Sequence, residues 1–160
     1  EHCHQFAQAN IPFIFDPGQG LPMFNGQELL ELVDLASYVA VNDYEGEMLC
    51  QRTGLSLGDL ANQLKALIVT KGAEGALIYT SGKTIAIPAV KPEKISDPTG
   101  CGDAFRGGLL YGLENNLDWE TTGRLASLMG SIKIAHQGPQ NHQPSRADIC
   151  ERFKSAFGQL

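Results

Sequence analysis

Two carboxylates, a proline and a pair of glycines fall within nine residues at Asp97-Pro98-Thr99-Gly100-Cys101-Gly102-Asp103-Ala104-Phe105. Pro98 and the glycines hold off a helix until Gly100, after which Ala104, Phe105, Leu109, Leu110 and Leu113 recur at helical spacing and predict a buried face. The N–H groups of Gly100, Cys101 and Gly102 are expected to point out of that helix start, beyond the reach of intrahelical carbonyls. Such donors, together with the positive end of the helix dipole, attract a phosphoryl group or another oxyanion. Asp103 lies within one turn of the anion. A carboxylate there can take a proton from a hydroxyl nucleophile while the amides stabilise charge developing on the phosphoryl oxygens. A helix N-terminus with a dipole-compensating aspartate reads the same way over three residues alone.

Two further pieces fall at the carboxyl ends of predicted strands, where open α/β sheets bind ligands. In Val41-Asn42-Asp43-Tyr44-Glu45, the side chains of Asn42 and Glu45 are three residues apart at a strand-to-helix junction and can face one crevice. On spacing alone they are equally a helix cap and its reciprocal partner. In Val69-Thr70-Lys71-Gly72-Ala73-Glu74-Gly75, a strand runs into a glycine-bounded turn and out into another strand. Thr70, Gly72 and Gly75 let the backbone approach a phosphate or ribose closely, with Lys71 as a mobile charge.

The elements that must position these residues alternate. Residues 2–10 read as the end of a helix and Pro12-Phe13-Ile14-Phe15 as a buried strand, so the chain is expected to begin in mid-fold. Helical spacing through Glu28, Leu29, Leu32, Val33 and Leu35 follows, then a strand over 38–41, helices over 44–52 and 57–64, and a strand over 66–70. Residues 75–80 and 83–87 predict a hairpin around Ser81-Gly82. Beyond the Gly100 helix, Asp118 caps a helix carrying Leu125, Leu128, Met129 and Ile132, and Ser145 with Asp148 opens a last one through Ile149, Phe153 and Phe157. This alternation predicts an α/β fold with a mostly parallel sheet covered by helices.

Composition narrows the function classes. The 160 residues are 42% hydrophobic and 19% charged, with a net charge of -6, which predicts one globular domain and disfavours a nucleic-acid surface. No apolar stretch approaches the roughly 20 residues of a membrane span, and no signal-peptide layout opens the chain, so a cytoplasmic location is expected. Cys3, Cys50, Cys101 and Cys150 are scattered, which suits reduced thiols, and His2-Cys3-His4 lacks a second ligand cluster at zinc spacing. Gly82-Lys83-Thr84 ends like a P-loop but has Leu77 where the first glycine belongs, and Gly18-Gln19-Gly20 has Met23 where a dinucleotide fingerprint needs its third.

The nine-residue segment ending in Asp103-Ala104-Phe105 resembles the C-terminal signature of ribokinase-like (PfkB) carbohydrate and nucleoside kinases, and the other two pieces occur in the order that family uses. The resemblance implies a Rossmann-like three-layer fold, with residues 1–160 the nucleotide-binding and catalytic part of the domain and the N-terminal half and lid lying outside it. It implies that Asp103 is the catalytic base, that Gly100, Cys101 and Gly102 form the anion hole, and that Asn42 and Glu45 organise Mg2+ and its waters. It places Asn42, Thr70, Gly72, Gly75, Ser127 and Gly138 near ATP, the base lying by the Asp118 helix and residues 136–141. Asp97 and Thr99 match positions that bind a monovalent cation in many members, and potassium use stays open. The acceptor is implied to be a small molecule, a nucleoside or sugar. Asp97 through Arg106, together with Phe15-Asp16-Pro17-Gly18-Gln19, favours adenosine as in bacterial adenosine kinases, with ribose or fructose the alternative. A non-catalytic nucleotide-binding fragment is the reading from another class. Homodimerisation through the lid is a further implication for a full-length protein.

Overall fold

The continuous apolar runs at Tyr38–Asn42 and Ala66–Thr70 become β2 and β3, paired in parallel with Tyr38 opposite Ala66 and Asn42 opposite Thr70. Their near-total burial, with Val39, Val41, Ala66 and Leu67 at 0% exposure, is what a parallel sheet covered by helices demands of its strands. The computed structural model describes residues 1–158. Its sheet has the order β1-β2-β3-β4-β5, with β1 (Ile14–Phe15) parallel to β2, and with β4 (Ala76–Thr80) and β5 (Lys83–Ile87) joined by a two-residue turn. Ser81 and Gly82 both have positive φ, as a tight type I′ hairpin requires.

The chain divides into two units, one of Glu1–Gly72 and Leu77–Ala86, the other of Ala73–Ala76 and the residues from Ile87 onward. In the first, α1 (His2–Gln8), α2 (Gly26–Leu35), α3 (Asp43–Thr53) and α4 (Leu57–Ala61) accompany the sheet. Leu29 and Val33 of α2, Leu49 of α3 and Leu60 of α4 share a buried cluster with Val39, Val41, Leu67 and Val69. Each such side chain contributes about 1.5–3 kcal/mol relative to exposure. Reciprocal capping boxes start α2 (Asn25 with Glu28), α3 (Asn42 with Glu45) and α4 (Ser56 with Asp59).

The second unit holds α5 (Cys101–Glu114), α6 (Trp119–Ile134) and α7 (Arg146–Phe157). Glycines set the approach of α5 to α6: a Cβ on Gly108 would lie 2.5 Å from Cα of Ala126, and one on Gly112 would lie 2.5 Å from the Thr122 side chain. Leu125, Leu128 and Ile132 of α6 pack with Phe153 of α7. Asp118 and Ser145 cap α6 and α7 as the sequence predicts, Ser145 in a capping box with Asp148.

Four expectations shift. The strand expected from Pro12 shortens to Ile14–Phe15, because Pro12 has no N–H to pair and the Phe13 carbonyl accepts from both Ser37 and Tyr38. The helix expected to reach Leu64 stops at Ala61 and closes in tight turns through Gln63 and Leu64. Gly75, at φ 93°, belongs to the turn and leaves Ala76 to open β4. Leu110 is 57% exposed, since it sits one residue past the buried stripe of Ala104, Phe105, Gly108, Leu109 and Gly112.

Candidate active site

The loop before α5 closes as a turn whose φ at Gly100 is 82°, a value that glycine adopts without penalty. The Cys101 N–H donates to the Pro98 carbonyl at 3.1 Å, so this amide is engaged within the turn and is not one of the open donors expected. Among the described residues, the N–H groups of Gly102 and Asp103 have no partner, and α5 has no side-chain cap. Of the three expected donors, Gly100 and Gly102 are thus without a partner among the described residues and Cys101 is engaged, with Asp103 adding a further open N–H. A Cβ on Gly102 would fall 2.8 Å from a guanidinium nitrogen of Arg106, which brings a positive charge against this mouth. Asp103 stands exposed in the first turn. A hydroxyl group and an oxyanion can approach it together from solvent.

Asp97 organises the chain around the turn. Its Oδ1 accepts the Thr99 N–H at 2.9 Å, while its Oδ2 accepts the Gly138 N–H at 2.8 Å and the Gln137 side-chain amide at 3.3 Å. The bonds from the Thr99 N–H and hydroxyl, then the Gly138 N–H and the nearby Lys133 charge, hold this carboxyl down at about 2. On the other side of the turn, Pro139 packs on Gly100, where a Cβ would meet the Pro139 carbonyl at 2.9 Å. Gly138, expected near the nucleotide, thus gives its amide to Asp97. Burial pushes the Cys101 thiol up, against the lowering influence of Lys133.

In the first unit, the register places Asn42 beside Thr70 at the carboxyl ends of β2 and β3, so two of the sequence motifs emerge on adjacent strands. Asn42 Oδ1 accepts the Glu45 N–H at 2.7 Å and Glu45 Oε2 accepts the Asn42 N–H at 2.8 Å. The helix-cap reading is thereby realised in full. It leaves Glu45 Oε1 and the Asn42 side-chain amide without partners among the described residues, a donor set suited to holding the waters of Mg2+ and too small to ligate it directly. No cluster of three or more His, Cys, Asp or Glu side chains able to hold a metal occurs among the described residues. Thr70 Oγ1 donates to the Val41 carbonyl at 3.4 Å, and Gly72, at φ 55°, follows at the start of a short 3-10 turn. A Cβ on Gly75 would lie 2.0 Å from the Ile87 carbonyl, so this glycine lets two backbone segments meet.

Ser127 is buried and fully engaged: its hydroxyl donates to the Pro88 carbonyl at 2.8 Å and accepts the Val90 N–H at 3.3 Å. Pro88 and Val90, which it holds, line a groove of about 450 Å³ together with Leu128, Ser131 and Phe157. Sequence reasoning missed Lys133, and it had Pro139 only as part of the loop 136–141, not as the partner of Gly100. The only hint of Lys133 was a charge set between Ile132 and Ile134 in an apolar helix.

The sequence profile described as pfkB family carbohydrate kinase matches residues 2–146. The chain belongs to this pfkB family. The solved nucleoside kinase of Burkholderia thailandensis in complex with inosine is 58% identical, with a TM-score of 0.97 over 98% of this chain and 52% of that one. The same kinase in complex with ADP-inosine superimposes with a TM-score of 0.96 over 98% of this chain and 49% of that one. A nucleoside kinase of Methanocaldococcus jannaschii is 34% identical over 95% of this chain and 50% of its own length. A ribokinase of Lactococcus lactis is 34% identical over 78% of this chain and 41% of its own length. This pfkB chain thus spans about half the length of the relatives it matches, and its fold is the ribokinase-like α/β fold. Among its described residues no helix is long and apolar enough to cross a membrane.

Proposed function

We propose that the protein to which this chain belongs transfers the terminal phosphoryl group of ATP to a hydroxyl of a nucleoside, with adenosine the favoured acceptor. The observation that carries this reading is the mouth of α5: an exposed Asp103 beside the open Gly102 amide, on a turn fixed by Gly100. Asp103 accepts the proton of the attacking hydroxyl. The Gly102 N–H, the positive end of α5 and the Arg106 charge lie where negative charge develops on the phosphoryl oxygens, so they favour the transition state over the ground state. The Gly100 N–H, also without a partner among the described residues, belongs to the same anion hole, and Cys101 contributes its backbone shape, its N–H holding the turn closed. Asn42 and Glu45 would hold Mg2+ through its waters, and the ion would supply neutralisation of phosphate charge. Thr70, Gly72 and Gly75 form the loop assigned to the nucleotide, where small side chains and positive φ allow close backbone approach.

The nucleoside acceptor is supported by the 58% identity to a nucleoside kinase solved with inosine and by the archaeal nucleoside kinase. A sugar kinase is the second reading, favoured by the 34% identity to a ribokinase. The two separate in a phosphorylation assay of the full-length protein with ATP and adenosine, inosine, ribose or fructose. A nucleoside preference of roughly tenfold or more in kcat/KM is expected, since a pocket built around a base penalises substrates that leave its polar groups unpaired. A preference for free ribose or fructose overturns the nucleoside reading, and no phosphorylation of any acceptor overturns the kinase reading.

A further inference from the structure

Lys133 lies on α6 with no exposed surface. Its Nζ donates to the Asp97 carbonyl at 2.6 Å and to the His136 carbonyl at 3.2 Å, bridging the strap that precedes α5 to the end of α6. The strap is fastened to the same end by Ser96 and Asp97, whose N–H groups donate to the Ile134 carbonyl, and by the Ser96 hydroxyl, which donates to the Ala135 carbonyl. Backbone carbonyls gathered beside a carboxylate are a donor set for a monovalent cation, the ion that the sequence resemblance assigned to Asp97 and Thr99. The residues present do not fit that ion. The Asp97 carbonyl is held by Lys133, Oδ1 by the Thr99 N–H, and Oδ2 by the Gly138 N–H and the Gln137 amide. A metal cation placed there would meet a fixed positive charge and N–H groups already aimed at the Asp97 oxygens.

We propose that Lys133 is a tethered cation that replaces a monovalent metal ion, fixing the turn from Asp97 to Gly102 and making the protein independent of potassium. Lys133 acts here as a positioning residue: it holds the Asp97 carbonyl, and Asp97 in turn holds Thr99 and Gly138 on either side of Gly100. Burying an ammonium group is costly unless acceptors surround it, and the two carbonyls supply them. An exposed lysine on a frayed helix end would need no such arrangement.

The consequence for turnover rests on the kinase reading, whereas the consequence for binding does not, so two readouts are needed on the full-length protein. Melting temperature and kcat/KM are measured in potassium, sodium and choline chloride at equal ionic strength. The wild type should show the same melting temperature and the same kcat/KM in all three. A rise specific to potassium in either quantity overturns the proposal, because an ion bound to the folded state must stabilise it by mass action. Lys133→Ala opens the two carbonyls and should lower kcat roughly tenfold or more, with little change in acceptor KM. Potassium or ammonium, but not choline, should restore part of both kcat and melting temperature. A variant that folds and is not rescued by either ion overturns the tethered-cation role. If Lys133→Ala does not fold, the wild-type series decides alone. If no acceptor is phosphorylated in any salt, the kinase reading fails while melting still decides the cation question.

Discussion

Asn42 and Thr70 are register partners at the carboxyl ends of two adjacent parallel strands, although 28 positions of chain separate them (70 minus 42). Parallel pairing makes this adjacency a consequence of the crossover through α3 and α4: any alignment of the two apolar runs that kept both buried would bring their ends out together. The Asn42–Glu45 motif and the loop that begins at Thr70 are thereby delivered to one edge of one sheet. Glu45→Gln separates the two roles of the first motif. Glutamine keeps the reciprocal cap, so melting should change little, while loss of the charge should raise the Mg2+ concentration needed for half-maximal turnover several-fold, on the order of one charge-assisted hydrogen bond. An unchanged Mg2+ requirement would reduce Glu45 to a helix cap.

Asp103→Asn in the full-length protein should lower kcat by about 10²–10⁴-fold, the range of a lost general base. Nucleotide affinity, measured by calorimetry, should stay as it was. Unchanged turnover removes Asp103 from the chemistry.

Gly100 and Cys101 are neighbours with opposite tolerance. Alanine at Gly100 must adopt a left-handed conformation, at a cost of about 1–2 kcal/mol, and its Cβ would also press on the Pro139 backbone. Cys101→Ala keeps the amide that donates to Pro98 and should leave both melting temperature and turnover near the wild type. Circular dichroism melts with steady-state kinetics on the pair test this; equal losses would contradict it.

Gly107 and Gly108 offer a second such contrast on α5. A Cβ on Gly107 meets nothing within 4 Å, so Gly107→Ala should stabilise by about 0.5–1 kcal/mol through helix propensity. A Cβ on Gly108 would meet Cα of Ala126 at 2.5 Å, and Gly108→Ala should destabilise by about 1–3 kcal/mol. Denaturant midpoints of the two variants should move in opposite directions.

The low position of the Asp97 carboxyl makes a pH prediction with a definite sign. Its folded value, about 2, lies below the unfolded carboxylate value near 4, so its contribution is fully present above that unfolded value and is lost as pH falls toward 2. The difference in urea midpoint between wild type and Asp97→Asn should therefore be largest at neutral pH and shrink between roughly pH 4 and 2. A difference independent of pH would mean that the carboxylate charge does no more than an amide at this position.

What the sequence disclosed followed from the range of the interaction concerned. The turn at Gly100, the caps at Asn42, Asp118 and Ser145, and the hairpin at Ser81-Gly82 depend on residues within a few positions of one another, and all form where their spacing places them. The expected donor set loses its middle member because the Pro98 carbonyl captures the Cys101 N–H, a detail of turn closure that residue types do not specify. The bonds of Lys133 to Asp97, Gly138 to Asp97 and Ser127 to Pro88 span 36, 41 and 39 positions. No local pattern announces such partners. Ser127 shows the cost: a residue that the family resemblance set near the nucleotide has its hydroxyl engaged by two backbone groups of its own unit.

The start of α2 adds something to the test of Glu45. Asn25-Gly26-Gln27-Glu28 repeats the four-residue pattern of Asn42-Asp43-Tyr44-Glu45 and forms the same reciprocal cap, with bonds of 3.0 and 2.8 Å against 2.7 and 2.8 Å. The chain thus contains an internal reference for the motif, matched in chemistry and free of any assigned ion. Whatever Glu28→Gln does to melting and to magnesium dependence measures the capping device by itself, and any larger effect of Glu45→Gln on magnesium dependence would be the share owed to the proposed metal role. A pattern search for Asn-x-x-Glu would score both copies alike; what tells them apart is that Asn42 ends a strand of the sheet and Asn25 does not.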